Sequence, residues 1–162
     1  MSKVDAIPKG YHTITPGLAF KNTKAAIEFY KKAFGAEQIH DLCLDPSGKV
    51  MHAEMKMGTS IFMLNDEFPD WGCVSAETLK NSPISLYVYV ENVDQAFDKA
   101  VKAGAKEVMP VADTFWGDRV GQVVDPFGYR WSISTHVKDM TPEEMKKGQE
   151  EWQKKAQLAH SK

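Results

Sequence analysis

The sequence predicts an α+β fold of two βαβββ units with helices outside the sheets and a further helix at the C-terminus. Three observations carry that prediction. Residues 22–36 can be laid on residues 92–105 at an offset of 70, slipping to 69 after one extra residue at Phe34. Phe20 falls on Val90, and Gly58 on Gly128, at the same offset of 70. Apolar residues alternate in short runs on either side of each copy but recur at helical spacing within it.

The elements follow in order. In the first unit, strands are expected near 13–20, 37–44, 50–57 and 60–65, with Asp45-Pro46-Ser47-Gly48 as a hairpin turn. Each repeated helix begins at an asparagine, Asn22 or Asn92, whose side chain can accept from a free amide of the first turn. Each stops at a glycine, Gly35 or Gly104, suited to a left-handed cap. The second unit has strands near 84–90, 106–112, 119–124 and 129–135, the last entered through Asp125-Pro126-Phe127-Gly128. Unit one therefore spans 11–66, a Pro- and Gly-bearing linker 67–81, and unit two 82–136, together one domain over 11–136. The extension 137–162 holds a helix over about 142–158, opened by Thr141 as N-cap, Pro142 at N1 and Glu144 at N3. It has few apolar residues beyond Met145 and Trp152, so it is expected on the surface, pinned by Trp152.

Alternation assigns faces. Met51, Ala53, Met55 and Met57 share one face of their strand, and His52, Glu54 and Lys56 the other. Ile84, Leu86, Val88 and Val90 oppose Ser85, Tyr87 and Tyr89, while Trp131 and Ile133 oppose Arg130, Ser132 and Ser134. The apolar faces must meet the helix stripes Ala26, Ile27, Tyr30, Phe34 and Ala96, Phe97, Ala100, Val101. The other face mixes hydroxyls, aromatics and a few charges. That composition suits a partly enclosed polar cavity better than a solvated surface, which would carry more Lys and Glu.

Composition narrows the functional classes. The chain has 162 residues, 43% hydrophobic and 26% charged, with a net charge of −2. No basic stripe stands out, so a nucleic-acid partner is not expected. Cys43 and Cys73 have no CxxC spacing and read as reduced thiols. The first residues lack an apolar leader and no run has the length of a membrane span, so a cytoplasmic protein with no membrane partner is expected. No Walker, GxGxxG or GxSxG pattern is present.

The run Ala25-Ala26-Ile27-Glu28-Phe29-Tyr30-Lys31-Lys32-Ala33-Phe34-Gly35, its second copy, and Asp125-Pro126-Phe127-Gly128-Tyr129-Arg130-Trp131 resemble the vicinal oxygen chelate superfamily, the glyoxalase, bleomycin-resistance and extradiol-dioxygenase group. Thr15-Pro16-Gly17-Leu18-Ala19-Phe20, Val50-Met51-His52-Ala53-Glu54 and Phe115-Trp116-Gly117-Asp118-Arg119 resemble its PhnB-like branch. The resemblance covers about residues 11–140. It implies mixed sheets curled around a cavity, often in a homodimer. It also places metal ligands, in metal-dependent members, at positions that become Thr15, Phe62, Ser85 and Ser132 here. Phe62 has no donor and neutral hydroxyls are poor ligands for divalent transition metals, so neither metal nor other cofactor is expected.

His52 and Glu54 remain as the candidate catalytic pair: an imidazole beside a carboxylate can act as base and orienter, or simply form a cross-strand polar pair. A relocated metal site would need His12, His40 or His136 as a third ligand. Trp116 and Arg119, on a glycine-containing loop, suit an aromatic or anionic ligand; the alternative is a core-plugging indole and an arginine paired with a nearby carboxylate. Tyr87 and Tyr89, with Ser85, Phe62 and Ser132, complete the expected ligand-binding set. The function expected is binding of a small aromatic or amphiphilic molecule without the family's metal. The alternative is a glyoxalase-type lyase or isomerase acting through His52 and Glu54 or a relocated metal.

Overall fold

The computed structural model describes residues 4–160, with backbone alone at positions 156, 159 and 160. Residues 1–3 and 161–162, the outer ends of the stretches read above as leaderless N-terminus and C-terminal extension, lie outside the described residues.

Unit one comprises β1 (Gly17–Phe20), α1 (Thr23–Phe34), β2 (Glu37–Gln38), β3 (Cys43–Leu44), β4 (Val50–Met57) and β5 (Ser60–Asp66). A short α2 (Ala76–Leu79) follows. Unit two comprises β6 (Ser85–Tyr89), α3 (Val93–Ala103), β7 (Lys106–Asp113), β8 (Asp118–Val124) and β9 (Arg130–His136), and α4 (Pro142–His160) ends the chain. The first sheet has the order β1-β5-β4-β2 with β3 also on β4; the second has β6-β9-β8-β7. Each is mixed, because β1 runs parallel to β5 and β6 parallel to β9 while the other pairs are antiparallel. The duplicated βαβββ architecture is therefore that of the sequence.

Local chemistry explains the helix limits. Asn22 accepts from the Ala25 amide and Asn92 from the Gln95 amide. Gly35 and Gly104 take positive φ values of 66° and 119°, which lets their amides return to the last helical carbonyls. Both helices lie on the apolar faces of the sheets, and α1 packs against α3.

One core runs through both units. Tyr30, Phe20 and Phe62 from unit one meet Phe127, Tyr129 and Trp131 from unit two, with Tyr30 and Trp131 ring centroids 5.4 Å apart. The Tyr129 hydroxyl donates to the Ala19 carbonyl at 2.7 Å and accepts from the Ala19 amide at 3.1 Å, so β1 hydrogen-bonds directly to the second unit.

Several expectations change. The first strand begins at Gly17 rather than 13, since the chain before it turns locally: Thr15 donates to the His12 carbonyl. The strand expected over 37–44 is two residue pairs, β2 and β3, separated by an irregular stretch in which the Gln38 side chain donates to the His40 carbonyl. The linker is folded: Glu67 accepts from the Ser75 amide, the Ser75 hydroxyl and the Thr78 hydroxyl, which fixes the start of α2. Val101 is exposed and Val93 takes its place in the α3 stripe.

The final strands do not align at an offset of 70. The β4–β5 hairpin closes Met57 on Ser60, whereas the β8–β9 connection closes Val124 on Arg130, so the two turns differ in length. Phe62 pairs with Met55 and Trp131 with Val123, all core-facing, so Phe62 corresponds to Trp131 and Met63 to Ser132. A one-residue slip moves a strand residue to the opposite face.

Candidate functional site

Three features lie on or between the sheets: a cleft between the units and two carboxylate-centred clusters on the faces away from the helices.

The cleft, about 1360 Å³, wraps the outer edge of β6. Its apolar wall includes Phe34 from α1, Met57 and Phe62 from unit one, and Leu86 and Val88 from β6; Tyr87 and Tyr89 border it from the other face of β6. Polar groups come from separate elements, among them His12, Lys99, Glu91 and His136. Tyr87 and Tyr89 pack ring to ring at 5.2 Å and are substantially exposed, which leaves an aromatic surface open at the rim. An apolar concavity with scattered polar groups is what small-molecule sites generally look like.

The first cluster sits on β4. His52 Nε2 lies 3.0 Å from Glu54 Oε1, with His40 Nε2 3.5 Å from the other oxygen. Glu54 is buried although it faces away from the helices. The Tyr11 hydroxyl holds its carboxyl below the ordinary pKa against the opposing effect of burial, with His52 and His40 adding to the same side. These residues do not border the cleft.

The second cluster is centred on Asp118, at the start of β8 and 3% exposed. Its carboxylate accepts from His136 Nδ1 at 2.7 Å, the Tyr89 hydroxyl at 3.0 Å and Trp116 Nε1 at 3.2 Å. Burial pushes the Asp118 carboxyl up, but the three donors outweigh it and hold it below the ordinary value. Asp118, then Asp139 at 3.0 Å from Nε2, raises the His136 pKa. A carboxylate on each nitrogen suits an imidazolium, since both nitrogens then donate.

The sequence-derived residues thus fall in different places. Phe62, Tyr87 and Tyr89 meet at the cleft. Trp116 belongs to the Asp118 cluster behind it. Arg119 is on the helix-facing side of β8, where it donates to both oxygens of Asp94 on α3 and to Asp113 on β7; the ion-pair alternative describes it, not a cavity rim. His52 and Glu54 form a pair of their own. Ser85 is exposed at the start of β6, and Ser132 is buried beside Tyr87 on the face away from α3. The residues that sequence reasoning passed over as a site are Asp118 and Tyr11; His136 enters it only as a third ligand of a relocated metal site, not as the partner of Asp118. Asp118 and His136 are register partners on β8 and β9, and alternation placed neither strand end.

The inherited metal positions do not fit a metal. Phe62 lies in the aromatic core, and its face-equivalent to Ser132 is Met63 rather than an ionisable side chain. Thr15 donates its hydroxyl to a backbone carbonyl. Among the described residues no group of three His, Cys, Asp or Glu side chains is arranged to hold a metal ion. No helix of the described residues is long and apolar enough to cross a membrane.

Comparison with known proteins agrees with this architecture. An uncharacterized protein of Mycobacterium bovis is 34% identical over 135 residues, covering 82% of this chain and 88% of its own. The crystal structure of TioX from Micromonospora sp. ML1 is 26% identical with a TM-score of 0.61, covering 78% of this chain and 99% of its own. The PhnB protein from Bacillus cereus shares the fold, at 22% identity and a TM-score of 0.59 over 76% of this chain and 99% of its own. The family model that describes the Glyoxalase/Bleomycin resistance protein/Dioxygenase superfamily matches residues 11–133, most of the chain, and the protein belongs to that superfamily.

Proposed function

We propose that the protein binds a small aromatic or amphiphilic molecule in the cleft between its two units, without the metal of its metal-dependent relatives. The observation that carries this is the cleft of about 1360 Å³, apolar on its walls and faced by the paired rings of Tyr87 and Tyr89. A homodimer belongs to the same reading. It is supported by the position of β7 at the edge of its sheet away from the cleft, where an unpaired strand edge invites a second chain.

The neutral probe N-phenyl-1-naphthylamine tests the reading by fluorescence titration. Saturable binding, weakened by about 0.5–1.5 kcal/mol in Tyr87→Ala through loss of an aromatic contact, is the expected result. Absence of saturable binding overturns it.

A second reading, a lyase or isomerase of glyoxalase type, is supported by His52 at 3.0 Å from the buried Glu54. That geometry suits an imidazole held by a carboxylate for proton transfer. It requires a substrate for which His52→Ala abolishes turnover and leaves binding intact; turnover that survives His52→Ala removes it.

A further inference from the structure

Resting on the reading that the cleft binds a small molecule, we propose that the molecule is an amphiphilic anion whose carboxylate or sulfonate oxygen accepts from Nε2 of His136, in place of Asp139.

Four observations lead there. His136 lines the cleft, and its Nδ1 is committed to Asp118 Oδ1 at 2.7 Å. Asp118 cannot turn away, since it is buried and also accepts from Tyr89 and Trp116. The ring is therefore held with Nε2 outward, which is how a carboxylate orients a histidine toward a ligand. The outward nitrogen has as its partner the Asp139 carboxylate at 3.0 Å, three residues along the chain and fully exposed.

The chain's own carboxylate thus marks where an anionic oxygen fits. An exposed pair of this kind contributes little, so Asp139 is readily displaced. Exchange of one carboxylate for another leaves the local charge unchanged, whereas a neutral ligand gains nothing from displacing Asp139. The apolar part of the ligand then lies along the exposed rings of Tyr87 and Tyr89, which share the sheet face of His136. Around the imidazole stand Asp118 from β8, Tyr89 from β6 and Asp139 from the following segment; His12, Tyr87, Glu91 and Lys99 are the other charged or titratable groups of the cleft. Lys99 favours an anion and Glu91 opposes one, so selectivity falls to His136.

The test compares two probes of one aromatic framework, 8-anilinonaphthalene-1-sulfonate and neutral N-phenyl-1-naphthylamine, on the full chain. His136→Gln is expected to weaken the sulfonate probe about tenfold, the scale of a charge-assisted hydrogen bond, and to leave the neutral probe unchanged. Asp139→Ala is expected to tighten the sulfonate probe several-fold and again spare the neutral one. Sulfonate affinity should fall as pH rises through a midpoint above the ordinary histidine value of 6.5, in His12→Gln as in the wild type. If neither variant separates the two probes, the anion inference is wrong while the cleft reading stands on the neutral probe. If neither probe saturates, the cleft reading fails and this inference with it. Should His136→Gln not fold, Asp139→Ala decides alone.

Discussion

The Tyr30 hydroxyl donates a 2.6 Å hydrogen bond to Asp125 Oδ2, joining α1 of the first unit to the final turn of the second. Both residues are buried, and Trp131 Nε1 donates to the same oxygen at 2.9 Å. The other oxygen, Oδ1, accepts the Phe127 and Tyr129 amides, so one carboxylate fixes the turn and the unit boundary together. Tyr30→Phe keeps the ring packing and removes one donor to a buried charge. It is expected to destabilise the fold by about 1–3 kcal/mol, read from chemical denaturation with the slope unchanged.

Asp125 also sets a pH dependence of unusual sign. Burial raises its carboxyl pKa above the ordinary value of 3.8 despite the donors around it. The folded state therefore binds the proton more readily than the unfolded chain, and this group's contribution grows as pH falls through its folded pKa. Glu54 and Asp118 have lowered values, so their contributions are present above the unfolded pKa and are lost as pH falls through the folded one. Unfolding titrations should show Asp125→Asn losing more stability, relative to wild type, at pH 4 than at pH 7.

Gly121 has no room for a side chain. An added Cβ would lie 2.6 Å from Phe97 Cδ2 and 2.8 Å from Val111 Cγ2, where α3 crosses the sheet. Gly121→Ala is expected to cost about 1–3 kcal/mol through overpacking, with a fall in melting temperature.

Arg119 separates structure from binding. Its guanidinium ties α3 to β7 and β8 through Asp94 and Asp113 on the side of the sheet away from Tyr87. Arg119→Ala is expected to lower the melting temperature and leave N-phenyl-1-naphthylamine affinity as in the wild type. A loss of affinity without a thermal change would return Arg119 to the site.

Much of this was legible in the sequence, for identifiable reasons. Asn22, Gly35, Asn92 and Gly104 specify helix limits locally, so the repeat revealed both helices and the order of strands. Phe62 shows where such reasoning stops. Its assignment assumed that Gly58 and Gly128 mark equal turns, but the hairpins differ in length and the offset shifts by one. Tyr87 and Tyr89 reached the cleft because period-two alternation needs no knowledge of distant residues. The pairing of Asp118 with His136 was hidden because it is a register fact between β8 and β9, eighteen residues apart in sequence. Nor does a local pattern distinguish Arg119 on one face from Trp116 near the other, because Gly117, with φ of 92°, turns the chain between them.

The central claim is that the cleft beside β6, not the His52–Glu54 face, receives the ligand. Backbone amide shifts during titration with N-phenyl-1-naphthylamine test it most directly. The account predicts perturbations concentrated at Leu86–Asn92 and Gly58–Phe62, with residues 52–54 unmoved. Perturbations at His52 and Glu54, with none along β6, would contradict it.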